Sequence, residues 1–146
     1  MTVVDLKPAH FASLLAQDVT GRFANWEQKG IFEQAESSIK STAVINNLGQ
    51  PVAIGGIIEY WPGRAEIWGL ISTSTHAEFI VTHRAAQKLV NSYWGRLECI
   101  VNYDFTEGHR WAKQLGFEVE TAKMPNYFEN GNSATMWVKF GMRGSN

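Results

Sequence analysis

Three apolar runs separated by two tight turns crowd into residues 42–72, and a long helical pattern follows them directly. Thr42 to Asn46 and Pro51 to Tyr60 flank the turn Asn47-Leu48-Gly49-Gln50, and Pro62-Gly63-Arg64 divides the second run from Ala65 to Ser72. Short runs bounded by Asn, Gly and Pro read as strands joined by hairpin turns. Downstream, Phe79, Ala86, Leu89, Val90 and Tyr93 recur at helical spacing over Ala77 to Trp94 and predict one buried face, with Gly95 as the stop. Antiparallel strands followed by a long helix and further strands place the chain in the mixed α/β class.

The remaining pattern agrees. Leu97 to Tyr103 has the length of a central strand, and Thr106 to Leu115 reads as a helix closed by Gly116, whose missing Cβ permits a left-handed cap. Phe117 to Ala122 and Ala134 to Phe140 are strands around a polar loop, Asn126 to Ser133. At the front, Thr2 to Leu6 reads as a short strand. Pro8 opens a helix through Gln17, Thr20 caps a second one ending at Gly30, and Ile31 to Lys40 is read as helical. No repeat or linker interrupts the 146 residues, so 1–146 is read as a single domain. Gly55-Gly56, inside a strand run, marks a bulge or a close backbone approach.

Composition removes several classes of function. A formal net charge of −1 does not suit a nucleic-acid binder that works by neutralising phosphates. Cys99 is the only cysteine, so no internal disulfide is available; at mid-strand it reads as a small core residue. The four histidines, His10, His76, His83 and His109, lack metal-ligand spacing, so no metal site is expected. No stretch has the apolar length for membrane insertion, the N-terminus lacks a signal-peptide run, and the chain reads as soluble.

Two segments are candidates for chemistry. In Leu70-Ile71-Ser72-Thr73-Ser74-Thr75-His76 a strand ends where a long helix begins, and free N–H groups at a helix start attract anions. The alternative is that Ser74 or Thr75 merely caps the helix. No glycine in this segment bares the backbone to an anion. In His109-Arg110-Trp111-Ala112-Lys113-Gln114-Leu115-Gly116-Phe117, preceded by Asn102-Tyr103-Asp104-Phe105, Trp111 and Leu115 read as core while His109 and Arg110 are free to face a cleft.

Taken together these elements resemble the GNAT N-acetyltransferase family along nearly the whole chain. Arg110-Trp111-Ala112-Lys113-Gln114-Leu115-Gly116-Phe117 is similar to the family's Arg-Phe-Tyr-Glu-Lys-x-Gly-Phe element. The resemblance implies a mixed, mainly antiparallel sheet of about six to seven strands with helices on both faces. It implies that Ala65–Ser72 and Leu97–Tyr103 splay apart around acetyl-CoA or another acyl-CoA. Leu70, Ile71, Ser72, Thr73, Ser74, Thr75 and His76 would then hold the cofactor at the helix start, with His109 and Arg110 nearby. The chain departs from the family twice. Ser72 to Ala77 lacks the glycines of the pyrophosphate loop, and the family's acid tyrosine falls at Ala112.

A narrower resemblance rests on Val52-Ala53-Ile54-Gly55-Gly56, Glu66-Ile67-Trp68, the helix with Phe79, Arg84 and Ala85, and Arg110-Trp111 through Leu115-Gly116-Phe117. These look like a bacteriophage group of GNAT-like proteins related to the small internal virion protein of T7-type podoviruses. That implies a location in the virion or the host cytoplasm and virion or host proteins as partners; the missing glycines and Ala112 add the expectation of weak or lost acetyl transfer. The alternative is an active acyltransferase modifying an amine of a host protein. There Glu66 is the base, Tyr103 the acid for the leaving thiolate, and a backbone amide of Leu70 or Ile71 the oxyanion donor. Glu66 equally reads as an exposed strand-end charge. A third reading is a protein-binding module anchored by Trp26, Tyr60, Trp61, Tyr127 and Phe128.

Overall fold

The computed structural model describes residues 1–10, 13, 36–73 and 75–141. The helices read over Pro8–Gln17, Thr20–Gly30 and Ile31–Lys40 lie largely outside the described residues. At their margins, residues 8–10 and 36–37 are helical, while Lys40 is already strand. The described elements are β1 (Thr2–Val4), β2 (Lys40–Ile45), β3 (Pro51–Trp61), β4 (Arg64–Ile71), α1 (His76–Asn91), β5 (Arg96–Asn102), α2 (Thr106–Gln114), β6 (Glu118–Met124) and β7 (Ala134–Phe140). The strands form a seven-stranded sheet in the order β1-β2-β3-β4-β5-β7-β6. The β4–β5 pair is parallel, and the β1–β2, β2–β3, β5–β7 and β6–β7 pairs are antiparallel. The mixed α/β class expected from the pattern is the one observed.

The chain divides into two compact units, one of Met1–Ile58 with Trp68–Leu89, the other of Glu59–Ile67 with Val90–Asn146. In the first, strand alternation sorts side chains onto two faces. Ala43, Ile54, Trp68 and Leu70 form one cluster with Leu6, Ile45 and Ile58, while Val44, Val52 and Ala53 pack with Ile71 and with Val81 and Ala85 of α1. That packing corrects the predicted helix face at one position. Val90 and Tyr93 are buried and Ala86 and Leu89 half-buried, as the spacing indicated, but Phe79 is 37% exposed and stacks on His83, while Glu78 and Thr82 are buried in the first two turns. The helix also ends at Asn91, and Tyr93, though buried, lies beyond it.

Gly55-Gly56 is a close backbone approach, as expected. A Cβ on Gly55 would stand 3.0 Å from the Trp68 carbonyl oxygen, and one on Gly56 would stand 2.8 Å from that of Lys40 and 2.8 Å from Trp68 Nε1.

In the second unit β4 pairs with β5 through Arg64–Arg96, Ala65–Leu97, Glu66–Glu98 and Ile67–Cys99. The remaining β4 residues, Trp68 to Ile71, belong to the first unit. β5 pairs along its whole length with β7. Gly116 closes α2 at φ +96°, as its position predicted, with the Leu115 and Gly116 amides donating to the Trp111 and Lys113 carbonyls.

Candidate functional site

Alternation along β4 and β5 puts Arg64 and Glu66 on one face beside Arg96 and Glu98, because residues two apart share a side and the parallel register sets like opposite like. Glu98 is the more buried carboxylate, with 3% of its side chain exposed, and three donors surround it. Arg64 Nε lies 2.8 Å from its Oε2 and Arg64 Nη2 lies 3.1 Å from its Oε1, while Arg96 Nε lies 2.6 Å from Oε2. Arg96 then grips Glu120 on β6 with both terminal nitrogens at 2.6 Å. Burial pushes the Glu98 carboxyl up, but the two guanidinium groups outweigh it and hold the group below its ordinary value.

Glu66 sits differently. Among the described residues it has no ion pair, and its one hydrogen bond comes from the Tyr60 hydroxyl of β3 at 2.9 Å. Burial is the main reason its carboxyl is raised above its ordinary value; the Glu98 charge adds to this, and Tyr60 and Arg64 oppose it. Tyr60 and Tyr127, the latter in the β6–β7 loop, are both made less acidic, chiefly by burial and then by the Glu66 charge. The Arg64 guanidinium lies 4.8 Å from the Tyr60 ring centre and 4.9 Å from that of Trp61. A half-buried carboxyl with raised proton affinity, a bonded phenol and aromatic walls is suited to a cationic group and to accepting a proton from it.

Tyr103 is not brought to that carboxyl. Glu66 faces Glu98, and Asn102 stands four residues further along β5, about 13 Å at about 3.3 Å per residue. Tyr103 follows in a turn, its amide donating to the Ser133 carbonyl oxygen at 2.9 Å and the Lys123 ammonium 5.0 Å above its ring. The Tyr103 carbonyl takes His109 Nε2 at 2.8 Å, while His109 Nδ1 accepts from Trp137 Nε1 at 3.1 Å. Indole N–H only donates, so the imidazole proton lies on Nε2 and both ring nitrogens are engaged. The expectation that His109 faces a ligand is thereby corrected: it ties α2 to β7. Arg110 is exposed on α2.

In the first unit, the segment expected to hold an anion is largely used by the fold. Leu70 is buried in the sheet cluster and Ile71 is half-buried against the other. The Ser72 amide donates to the Val52 carbonyl oxygen at 2.7 Å, so it continues strand pairing. Thr73 is half-buried, His76 is exposed, and Ser74 lies outside the described residues. Thr75 Oγ1 accepts the Glu78 amide at 3.1 Å, and the Thr75 carbonyl accepts the Phe79 amide. Thr75 is the N-cap and Glu78 stands at the third helical position, the Thr-x-x-Glu spacing of a capping box. Glu78, the acidic residue of the first turn, is 8% exposed. The segment fits a pyrophosphate poorly: the Ser72 amide is paired in the sheet and the Glu78 amide is capped by Thr75.

Comparison with known proteins bears on the fold. No protein-family model and no curated protein matches the chain. Among solved structures it is similar to Ard1 from Thermoplasma volcanium, with a TM-score of 0.73, 17% identity, and 97% of this chain and 98% of that chain covered. A GNAT phosphinothricin acetyltransferase from Sinorhizobium meliloti, in complex with AcCoA, gives a TM-score of 0.70, 12% identity, and 99% and 90% coverage. The aminoglycoside 6'-acetyltransferase type Ii gives 0.66, 17%, and 96% and 97%. The chain has the GNAT acetyltransferase fold. At such identities the likeness establishes the fold alone.

The sequence reading named Glu66 but missed Arg64, Glu98, Arg96 and Glu120, and it took Tyr60 and Tyr127 only as possible interface aromatics. One signal was present. Arg64-Ala65-Glu66 and Arg96-Leu97-Glu98 repeat an Arg-x-Glu triplet on two strand-like runs.

Proposed function

We propose that this chain is a bacteriophage GNAT-fold protein, carried in the virion or delivered to the host cytoplasm, with virion or host proteins as partners and with weak or lost acetyl-CoA-dependent transfer. The capped start of α1 supports the second half of this reading, since Thr75 Oγ1 already takes the Glu78 amide that an anion at the helix end would use. The order and spacing of the Gly55-Gly56, Glu66-Ile67-Trp68 and Leu115-Gly116-Phe117 segments support the phage kinship. Titration calorimetry with acetyl-CoA is the test. The expected result is no saturable heat up to about 1 mM, whereas a one-site isotherm in the micromolar range, about −8 kcal/mol, overturns the reading. Mass spectrometry of purified particles from the source phage tests the location: detection of the chain supports the virion, and its recovery only from infected-cell cytoplasm supports delivery or expression there.

One observation favours a second reading, an active N-acyltransferase acting on an amine of a host protein. Among the described residues Glu66 has no ion pair; it stands beside Tyr60, with its proton affinity raised. There it accepts a proton from an incoming ammonium, and Tyr103 remains the acid. General bases contribute about 10²–10⁴ in rate, so unchanged acetylation rates in both Glu66→Gln and Tyr103→Phe would remove these roles.

A further inference from the structure

Arg64 stands two residues before Glu66 on the same strand face, yet it bonds Glu98 on the neighbouring strand. An arginine and a glutamate so placed ordinarily pair. The register explains why they do not: Arg64 faces Arg96 and Glu66 faces Glu98, so two cations and two carboxylates meet as a block of four. Glu98 accepts from both arginines, and Arg96 spends its other nitrogens on Glu120. Three of the four charged groups are thus joined to one another or to Glu120, and among the described residues Glu66 receives only the Tyr60 hydroxyl. The Tyr60 and Trp61 rings flank Arg64 and hold its plane toward Glu98.

We propose that Glu98 is the positioning residue of the Glu66 site: by holding Arg64 and Arg96 it withholds a counter-ion from Glu66 and leaves that carboxyl open to an external ammonium group. The inference rests on the reading of Glu66 as a cation-facing carboxyl. Among the described residues, the titratable and charged groups around Glu66 are Tyr60 on β3, Arg64 on β4, Arg96 and Glu98 on β5, and Tyr127 from the β6–β7 loop. The two cations among them, Arg64 and Arg96, are both bonded to Glu98. When Glu98 becomes neutral, Arg64 loses its charged acceptor and Glu66 is the carboxylate within reach on its own strand.

The experiment is the pH titration of the Glu66 side-chain carbonyl carbon by NMR, in the intact chain labelled at glutamate. In Glu98→Gln the Glu66 midpoint falls by about one unit or more, the size expected when an arginine closes on a carboxylate. In the double variant Glu98→Gln/Arg64→Gln it climbs back, because the guanidinium on the same strand is gone while Arg96 stays engaged with Glu120. Loss of charge alone moves the midpoint additively, so the diagnostic is a larger rise on removing Arg64 in the Glu98→Gln background than in the native chain, and an equal rise in both overturns the proposal. Arg64→Gln alone, in which Arg96 still holds Glu98, leaves the midpoint unchanged or higher and serves if Glu98→Gln does not fold. A Glu98→Gln midpoint unmoved in a folded protein, a double variant no higher than the single, or a fall in Arg64→Gln overturns the proposal. Titration with n-butylammonium separates the underlying reading. Shifts at Glu66 and Tyr60 in the native chain that weaken about tenfold or more in Glu98→Gln support both claims. No shift at Glu66 in the native chain rejects its role as a cation-facing group, whatever the midpoints show.

Discussion

Gly56→Ala tests whether the first unit is built on backbone proximity rather than on side-chain bulk. The added Cβ would lie 2.8 Å from the Lys40 carbonyl oxygen, 2.8 Å from Trp68 Nε1 and 2.9 Å from Ser38 Oγ. Real Cβ atoms do not come so near, and one of the three neighbours is the backbone of the paired strand. Something has to move, and the hydrogen bond from Trp68 Nε1 to Ser38 Oγ, at 2.8 Å, is the softest element present. Trp68 is only 6% exposed, so water cannot replace a lost partner. Overpacking costs about 1–3 kcal/mol, a buried indole N–H left unpaired adds about 1–3 kcal/mol, and the stiffer unfolded chain returns about 0.4–1 kcal/mol.

The net expectation is a loss of about 2–5 kcal/mol, a large share of the 5–15 kcal/mol typical of a domain. For a chain of this size that lowers Tm by about 5–15 °C. Urea unfolding followed by tryptophan fluorescence reads the free energy, and Ser38→Ala supplies the second edge of a double-mutant cycle. Ser38→Ala and Gly56→Ala should be non-additive, because each disturbs the same Trp68 hydrogen bond. Should Gly56→Ala fall within about 0.5 kcal/mol of the native chain, or the two changes simply add, the close-approach argument is wrong.

Three further outcomes follow from the charged groups and the cap. Glu98→Ala, which strips two arginines of their shared carboxylate, should cost about 2–4 kcal/mol at pH 7, below the figure for a fully buried pair because Arg64 and Arg96 keep 34% and 27% exposure. Because the Glu98 carboxyl is held below its ordinary value, its stabilisation is present above that value and disappears as pH falls through the folded one, so the two proteins' urea midpoints should converge in acid. Glu66→Gln has the opposite sign. A raised carboxyl binds its proton more tightly in the folded state, so native stability declines as pH rises from the ordinary carboxylate value through the raised folded one, and the variant should gain relative to the native chain over that rise. Thr75→Ala should cost about 0.5–2 kcal/mol through loss of the α1 cap, measured by thermal denaturation, and no loss would mean the Thr75–Glu78 bond is idle.

What was legible in the chain was what local chemistry decides. Pro62-Gly63 between two apolar runs and Gly116 after a helical stripe each announce a backbone requirement met within a few residues, and Gly55-Gly56 inside a strand announces one met by neighbouring strands; each appears where the pattern put it. The first two turns of α1 were misjudged because apolar spacing assumed that buried means apolar. Phe79 was taken as core with Val90, and Val90 is buried, but the buried positions of the first two turns are the polar Glu78 and Thr82. The anion reading of residues 70–76 shared that weakness: Thr75 serves as N-cap or as phosphate ligand with the same side chain, and only its 3.1 Å bond from the Glu78 amide decides.

The Glu66 site shows where local reading stops. Each Arg-x-Glu triplet alone says only that a cation and a carboxylate share one strand face, and the natural inference is two separate pairs. Setting β4 beside β5 in parallel with no offset puts like beside like, which no pattern within either strand reveals. A shift of one residue would send Glu98 to the opposite face and leave Arg64 with Glu66 as its neighbour. The open carboxyl at Glu66 is therefore a property of register, and register is decided by the apolar residues between the charges: Ala65, Leu97 and Val101 are all buried. Substitutions that slip this pairing should close the site without touching a single charged group.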